Sequence, residues 1–233
     1  MRFARSALFL VWFVGLTAVM GILSLPLLAL PRRLTVKMAR QWAKATLWGL
    51  KVFCGVHMRV VGKAPQGAVL VASKHMSMWD TLALYIVLDD PGIVLKRELL
   101  RIPIYGWYLW KAAAIAIDRG AGAEALRRMS QAATGVLQEG RAVLIFPEGT
   151  RKKPGAVPDY KPGVAGLYTI LKAPCVPAAL NSGLYWRGFT KEPGTITLEF
   201  LEPIQPGLKR GDFMSLLEAR IEKATGRLLR EAP

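Results

Sequence analysis

The run Gly67–Leu88, GAVLVASKHMSMWDTLALYIVL, decides the fold class. Its first part, GAVLVASKH, is short, apolar and β-branched, which reads as a strand ending at His75; MWDTLALYIVL then reads as a helix. A strand that passes straight into a helix is the building unit of an α/β sheet, and its junction is where such folds expose reactive groups. His75 is one of only two histidines in the chain, and Asp80 follows five positions later. That spacing does not place two side chains on one face of a regular helix, so they meet only if the chain turns between them, as a junction allows. If they meet, the carboxylate fixes the tautomer of the ring and leaves its other nitrogen free to take a proton. The competing reading is a solvated histidine, with Asp80 placed favourably in the first turn of a helix.

Working outward, short apolar runs alternate with helical stretches from Gly62 onward. GIVLKREL and AIAIDRG read as short strands, with the Pro/Gly-broken, partly helical IPIYGWYLWKAAA between them. GAEALRRMSQAATGVLQEG is an amphipathic helix stopped by Gly140, and RAVLIFPEGTR is a strand running into a tight turn. A Pro/Gly/Lys-rich loop over 152–163, a helix VAGLYTILKA, strands CVPAALNS and TITLEFLEPI, and a closing helix DFMSLLEARIEKATGRLLR complete the order. The expectation is an α/β fold with a mixed central sheet covered by helices.

The other end is different. Ala7–Leu30 carries no charge and meets the roughly 20 residues needed to cross a hydrocarbon core. Arg32, Arg33, Lys37, Arg40 and Lys44 follow it and mark that side as cytoplasmic by the positive-inside rule. Arg2 and Arg5 on the near side, and Pro26 inside the run, leave open a hairpin that dips into one leaflet. In LTVKMARQWAKATLWGLKVF, Lys37, Arg40, Lys44 and Lys51 share one arc of a helix and Met38, Trp42, Thr46, Leu50 and Phe53 the other, the pattern of a basic helix lying in the headgroup layer. Packing of this helix on the domain, with a solvated basic face, is the alternative. We therefore expect a membrane segment and interfacial helix over 1–58 and a catalytic-type α/β domain over 59–233.

With 233 residues, 52% hydrophobic, and a formal charge of +16, the chain suits one globular body with a membrane-contacting part and an anionic partner. Two cysteines in apolar settings, Cys54 and Cys175, argue against a disulfide framework. The scarcity of histidine and cysteine leaves no metal-ligand spacing, so no metal is expected. There is no G-x-G-x-x-G, no G-x-x-x-x-G-K-S/T and no G-x-S-x-G, and the basic residues do not interleave with an aromatic series, so nucleotide hydrolysis, serine-hydrolase chemistry and nucleic-acid binding lose support.

IFPEGTR ends its strand with Glu148, Gly149 and Arg151. An arginine fork matches a phosphate monoester, and glycine lets backbone approach a ligand, although a plain turn with a surface ion pair fits the same residues. Lys96 and Arg97 in LKREL, Asp118 and Arg119 in IDRG, and Lys161 supply further charge after strands of the same sheet. Together with Arg151, the cations could line a phosphate pocket beside His75.

Taken in order, the four blocks resemble the glycerolipid acyltransferase family, most closely its bacterial 1-acyl-glycerol-3-phosphate acyltransferases. His75 and Asp80 match the family's His-x4-Asp motif. LKRELLRIPIYGWYL with IDRG is similar to its second block, FPEGTR is its third, and VPAAL from Val176 to Leu180 resembles its fourth. The likeness spans about residues 62–201, and the N-terminal region is similar to the family's two-helix anchor.

The resemblance implies transfer of a fatty acyl group from a thioester, on acyl carrier protein or coenzyme A, to the hydroxyl of lysophosphatidate, giving phosphatidate. No cofactor beyond that co-substrate is implied. His75 would take the acceptor's proton, and Asp80 would orient it. Glu148 would help position the glycerol portion, and Arg151, with Lys96 and Arg119 as supporting cations, would hold the phosphate; Gly149, where backbone can approach the ligand, and Lys161, which resembles a family lysine, complete the substrate-binding set. The implied partners are membrane lipids, lysophosphatidate and the acyl donor. The implied location is the inner (cytoplasmic) membrane, with the catalytic domain on its cytoplasmic face. Another lysolipid acceptor, such as lyso-ornithine lipid, and a non-enzymatic lipid-binding role are the alternatives.

Overall fold

Strands that read as unbroken apolar runs pair in the middle of the molecule, because only a sheet covered on both faces can bury them completely. The computed structural model describes residues 1–118, 120 and 122–232. Helices α1 (Arg2–Leu23) and α2 (Arg32–Cys54) form a hairpin joined by a 3-10 turn, Leu25–Ala29. Then follow β1 (Val56–Val61), β2 (Leu70–Ser73), α3 (Met78–Val87), β3 (Gly92–Lys96), a 3-10 turn (Arg97–Arg101), α4 (Tyr105–Lys111), β4 (Ile115–Ile117) and α5 (Gly122–Gln138). The chain continues through β5 (Val143–Ile145), α6 (Gly163–Leu171), β6 (Cys175–Leu180), α7 (Ser182–Tyr185), the short hairpin β7 (Trp186–Arg187) and β8 (Thr190–Lys191), β9 (Gly194–Phe200) and α8 (Arg210–Arg230).

Among the described residues, seven strands form one sheet in the order β1-β9-β6-β2-β5-β3-β4. Within this sheet, among the described residues, only the β6–β9 pair is antiparallel, so the expected mixed α/β sheet is what forms. That antiparallel ladder begins at Ala178, one residue past Pro177, which has no N–H to give. Alternation along β2 sends Val71 to one face, with Trp79, Leu84 and Leu50, and Leu70 and Ala72 to the other, with Leu167, Phe213 and Leu217. The first face carries α2 and α3; the second carries α5, α6 and α8.

The helical hairpin is bound to this body. Trp12 of α1 lies over Gly49 of α2, where an added Cβ would sit 2.2 Å from the indole, and its Nε1 donates to the Ala45 carbonyl at 3.1 Å. Trp42 Nε1 donates to Thr17 Oγ1 at 3.0 Å. Near its start, α1 is tied down by Arg5, which donates to the Phe53 carbonyl at 3.0 Å, and by buried Ser6, whose Oγ accepts the Lys191 amide at 3.0 Å. At its far end the Tyr108 hydroxyl donates to the Gly21 carbonyl at 2.8 Å.

Two details depart from the sequence reading. Strand β1 runs through the expected division at residues 58 and 59, and α2 hands over to the sheet at Gly55, which caps it in the left-handed region at φ 69°. Lys37, Lys44 and Lys51 share the exposed face of α2, but Arg40 does not join them: it bonds the Asp89 carboxylate and the Ile86 carbonyl. Arg32 likewise forks onto Asp90 at 2.8 and 2.6 Å. Helix α2 packs between α1 and α3, so part of its charge fastens the hairpin to the turn after α3.

Candidate active site

Strand β2 hands the chain to α3 through Lys74–Ser77. The Lys74 amide still donates to the Ala178 carbonyl at 2.9 Å, and Ser77 then caps the helix, its Oγ accepting from the Trp79 amide at 3.2 Å. Ser77 and Asp80 form the reciprocal box expected of Ser followed three residues later by an acid, which fixes Asp80 in the first turn.

The carboxylate of Asp80 is fully buried and saturated with donors. Its Oδ2 accepts from the Met76 amide at 2.6 Å, the Ser77 amide at 2.8 Å and His75 Nδ1 at 2.9 Å. Its Oδ1 accepts from the Ser182 hydroxyl, which in turn accepts from Ser77 Oγ at 2.9 Å. An ionised carboxylate only accepts, so the proton on the ring sits at Nδ1 and Nε2 presents its lone pair. The Phe146 ring stacks on the imidazole, 3.9 Å between centroids and 21° from parallel, and leaves the His75 side chain 11% exposed. Among the described residues, neither serine hydroxyl of this network bonds the imidazole.

Parallel pairing of β2 with β5 sets the end of IFPEGTR at the same sheet edge as His75, with Ala72 opposite Ile145. The Lys152 amide donates to the His75 carbonyl at 2.9 Å, which brings the backbone after Arg151 against the histidine. Arg151 is exposed there. Gly149 takes φ 65° and donates its amide to the Phe146 carbonyl at 2.9 Å, closing a turn that a side chain would strain.

Glu148 is 1% exposed and its Oε1 accepts from Lys74 Nζ at 2.9 Å. The same ammonium donates to Glu222 Oε1 at 2.7 Å, and the Tyr160 hydroxyl donates to that oxygen at 2.9 Å. Burial pushes the Glu148 carboxyl upward, against the pull of Lys74. Glu148 Oε2 is buried without a partner among the described residues. Lys161 reaches the motif through its backbone, N–H to the Pro147 carbonyl at 2.9 Å, while its ammonium lies on Asp159 at 2.7 and 2.8 Å. Lys161 holds the Asp159 carboxyl below the usual carboxylate range. Lys96 is exposed at the end of β3, which pairs with β5. Arg119 lies outside the described residues.

The geometry thus joins His75, Asp80 and the backbone of the 148–152 turn. It also adds Ser182, Phe146, Lys74, Tyr160 and Glu222, none of which sequence reading singled out. Of these Lys74 had a local signal in its place next to His75, Phe146 in its place within IFPEGTR and Tyr160 in its place beside Lys161; Ser182 and Glu222 come from distant segments. A small apolar hollow of about 180 Å³ opens beside the first turn of α3, lined by Phe9, Phe13, Met78, Trp186, Phe189 and Lys191 among others. Lys191 donates to the Gly188 and Phe189 carbonyls at 2.7 and 2.8 Å, and burial lowers its amine to about 8.

Residues 57–181 match the family model described as Acyltransferase. The chain is 37% identical over 161 residues to the 1-acyl-sn-glycerol-3-phosphate acyltransferase of Pseudomonas aeruginosa, covering 67% of this chain and 63% of that protein. Against the 1-acyl-sn-glycerol-3-phosphate acyltransferase alpha of Mus musculus it is 29% identical over 219 residues, 89% of this chain and 75% of the other. The crystal structure of PlsC, the 1-acyl-sn-glycerophosphate acyltransferase of Thermotoga maritima, superposes with a TM-score of 0.79 over 98% of each chain at 22% identity, which shows a shared fold.

Proposed function

The chain belongs to the acyltransferase family, and on that premise we propose that it transfers a fatty acyl group from a thioester to the free hydroxyl of lysophosphatidate, giving phosphatidate. In this reading His75 Nε2 takes the proton of the acceptor hydroxyl as its oxygen attacks the thioester carbonyl. The tetrahedral intermediate then collapses, the carbon–sulfur bond breaks, and the imidazolium returns the proton to the departing thiolate. Asp80 orients the ring and stabilises its charged form. The protein stays unacylated throughout. The observation that carries the reading is the His75–Asp80 pair, whose free nitrogen meets no hydroxyl of its own network.

Arg151, beside the histidine, is proposed to hold the phosphate as a bidentate fork, with Lys96 and Arg119 as further cations. Glu148, locked on Lys74, would hold the turn carrying Gly149 and Arg151, and Lys161 would hold it through its backbone amide. The thioester of acyl carrier protein or of coenzyme A would serve as donor, and the hollow under Phe9, Phe13 and Trp186 would receive apolar chain.

Helix α1 is 22 residues long, about 33 Å at the α-helical rise. That length and its apolar character are enough to cross a membrane. Yet both of its ends are tied to one body, through Ser6 and Gly21, while Phe3, Leu8, Val11, Val14, Val19 and Ile22 stay exposed along its outer side. This favours an anchor lying in one leaflet, which would keep the site at the plane where lysophosphatidate and product reside. The test is phosphatidate synthesis by the purified chain from lysophosphatidate and each labelled thioester in vesicles. Product from either donor supports the reading; none from both, with a folded chain, rejects it.

A further inference from the structure

The tryptophans of α4 are out of place for a soluble surface. Trp110 is 73% and Trp107 51% exposed, three residues apart on one side of the helix. Such large rings are normally buried, and contiguous exposed apolar area marks a surface with a partner. Nor are they on a loose segment. Ile104, preceding the helix, takes φ 65°, and Gly106 is buried so tightly that a Cβ would meet the Leu100 carbonyl oxygen at 2.1 Å. The helix is held at its middle and its C-terminal end: its Tyr108 hydroxyl bonds Gly21 at the far end of α1, and the Ala112 carbonyl just beyond it accepts from Arg32 at 3.0 and 3.2 Å.

These ties make α4 continuous with the outer surface of the hairpin, where Leu23, 74% exposed, and Leu30, 43% exposed, carry the apolar strip on. Charge points the same way. From Lys96 to Lys111 the chain holds Lys96, Arg97, Arg101 and Lys111 against the single acid Glu98. Across the contact, Arg33 and Lys37 at the start of α2 are exposed. Tryptophans bordered by cations are the composition of a surface that sits at the headgroup level of an anionic bilayer. The chain leaves β3 at Lys96, at the same end of the sheet where the parallel β5 runs into the 148–152 turn, and passes through the 3-10 turn into α4, so this surface lies at the site's end of the molecule.

We propose that α4 is a second membrane-contact element: Trp107 and Trp110 seat in the interfacial layer of an anionic leaflet and hold the mouth of the site against it. The proposal rests on the reading that α1 lies in that same leaflet. It assigns α4 the depth and tilt of the body, which one helix, free to roll about its own axis, would leave undetermined.

The test uses the full-length chain with a single environment-sensitive fluorophore, since Cys54 and Cys175 are buried and leave an introduced thiol as the labelling site. Three variants, Trp110→Cys, Val11→Cys and Asp212→Cys, are labelled and mixed with vesicles of phosphatidylcholine with or without phosphatidylglycerol, carrying shallow or deep nitroxide lipids. The expected result is a blue shift and preferential shallow quenching at position 110, stronger with phosphatidylglycerol and weakened by salt, quenching at 11, and none at 212. No quenching at 110 with quenching retained at 11 overturns the proposal and leaves the α1 reading standing. Absence of quenching at both rejects the α1 reading and the proposal with it. Disulfide-linked dimers of unlabelled Trp110→Cys, with no quenching of the labelled variant, would show that a second copy covers the surface and also overturn it.

Discussion

The Ser182 hydroxyl donates to the Asp80 carboxylate across 102 residues of chain, so the acid beside His75 is held from the segment that follows β6 as well as from its own turn. Ser182 touches no reacting group and acts through Asp80. Ser182→Ala removes one donor from a buried carboxylate and should cost ~1–3 kcal/mol of stability. Turnover should fall while KM for lysophosphatidate changes little. Urea unfolding and steady-state kinetics check both, and a KM effect without a kcat effect would place Ser182 on the substrate instead.

Asp80→Asn keeps the shape and changes the hydrogen-bond sense. An amide cannot accept on both sides as the carboxylate does, so the backbone donors of Met76 and Ser77 compete with the ring and the Nδ1–H tautomer loses its partner. Turnover should drop on the order of 10³–10⁴-fold with the fold retained. Circular dichroism beside the acyl-transfer rate separates loss of chemistry from loss of structure.

The buried Lys74–Glu148 pair makes stability depend on pH in a set direction. Burial raises the Glu148 carboxyl in the folded state, with Lys74 opposing the rise. A folded-state pKa above the unfolded one favours folding fully at pH below the unfolded value, and that contribution is lost as pH rises through the folded pKa. Lys74→Met removes the opposing charge, so the variant should lose stability more steeply than the parent between about pH 5 and about pH 8. Breaking a buried pair by removing one member costs about 3–5 kcal/mol; partial solvent contact of Glu222 should hold the loss to the lower end. Denaturant midpoints at the two pH values read it out.

Arg151→Lys keeps the charge and removes the fork. If the guanidinium grips the phosphate, kcat/KM for lysophosphatidate should fall roughly 10–100-fold, the ~1.5–3 kcal/mol of a charged hydrogen bond. Transfer to an uncharged monoacylglycerol should change little. Equal losses on both acceptors would assign Arg151 to the architecture of the turn.

Much of this was legible in sequence for a physical reason: the strand-to-helix junction and the Ser77–Asp80 box are local, and local spacing decides them. Strand β1 was not, although Val56–Val60 alternate apolar and polar side chains; the run is only five residues long and follows directly on α2, and on this edge strand His57–Val60 are all exposed, so the alternation marks no buried face. Arg40 illustrates the same limit. Its helical angle groups it with three exposed lysines, and only the tertiary approach of Asp89 turns it inward. Glu148 read as a group facing substrate, yet Lys74 and Glu222 enclose it, a cluster assembled from three segments 74 and 148 residues apart.

In the proposed reaction His75 is the base that takes the acceptor's proton. Acyl transfer to lysophosphatidate by the purified, folded His75→Ala chain measures this most directly. The expected result is a loss of turnover of at least about 10²–10⁴-fold, the contribution of a positioned general base, with binding of the chain to vesicles unchanged. Turnover equal to that of the parent would contradict it.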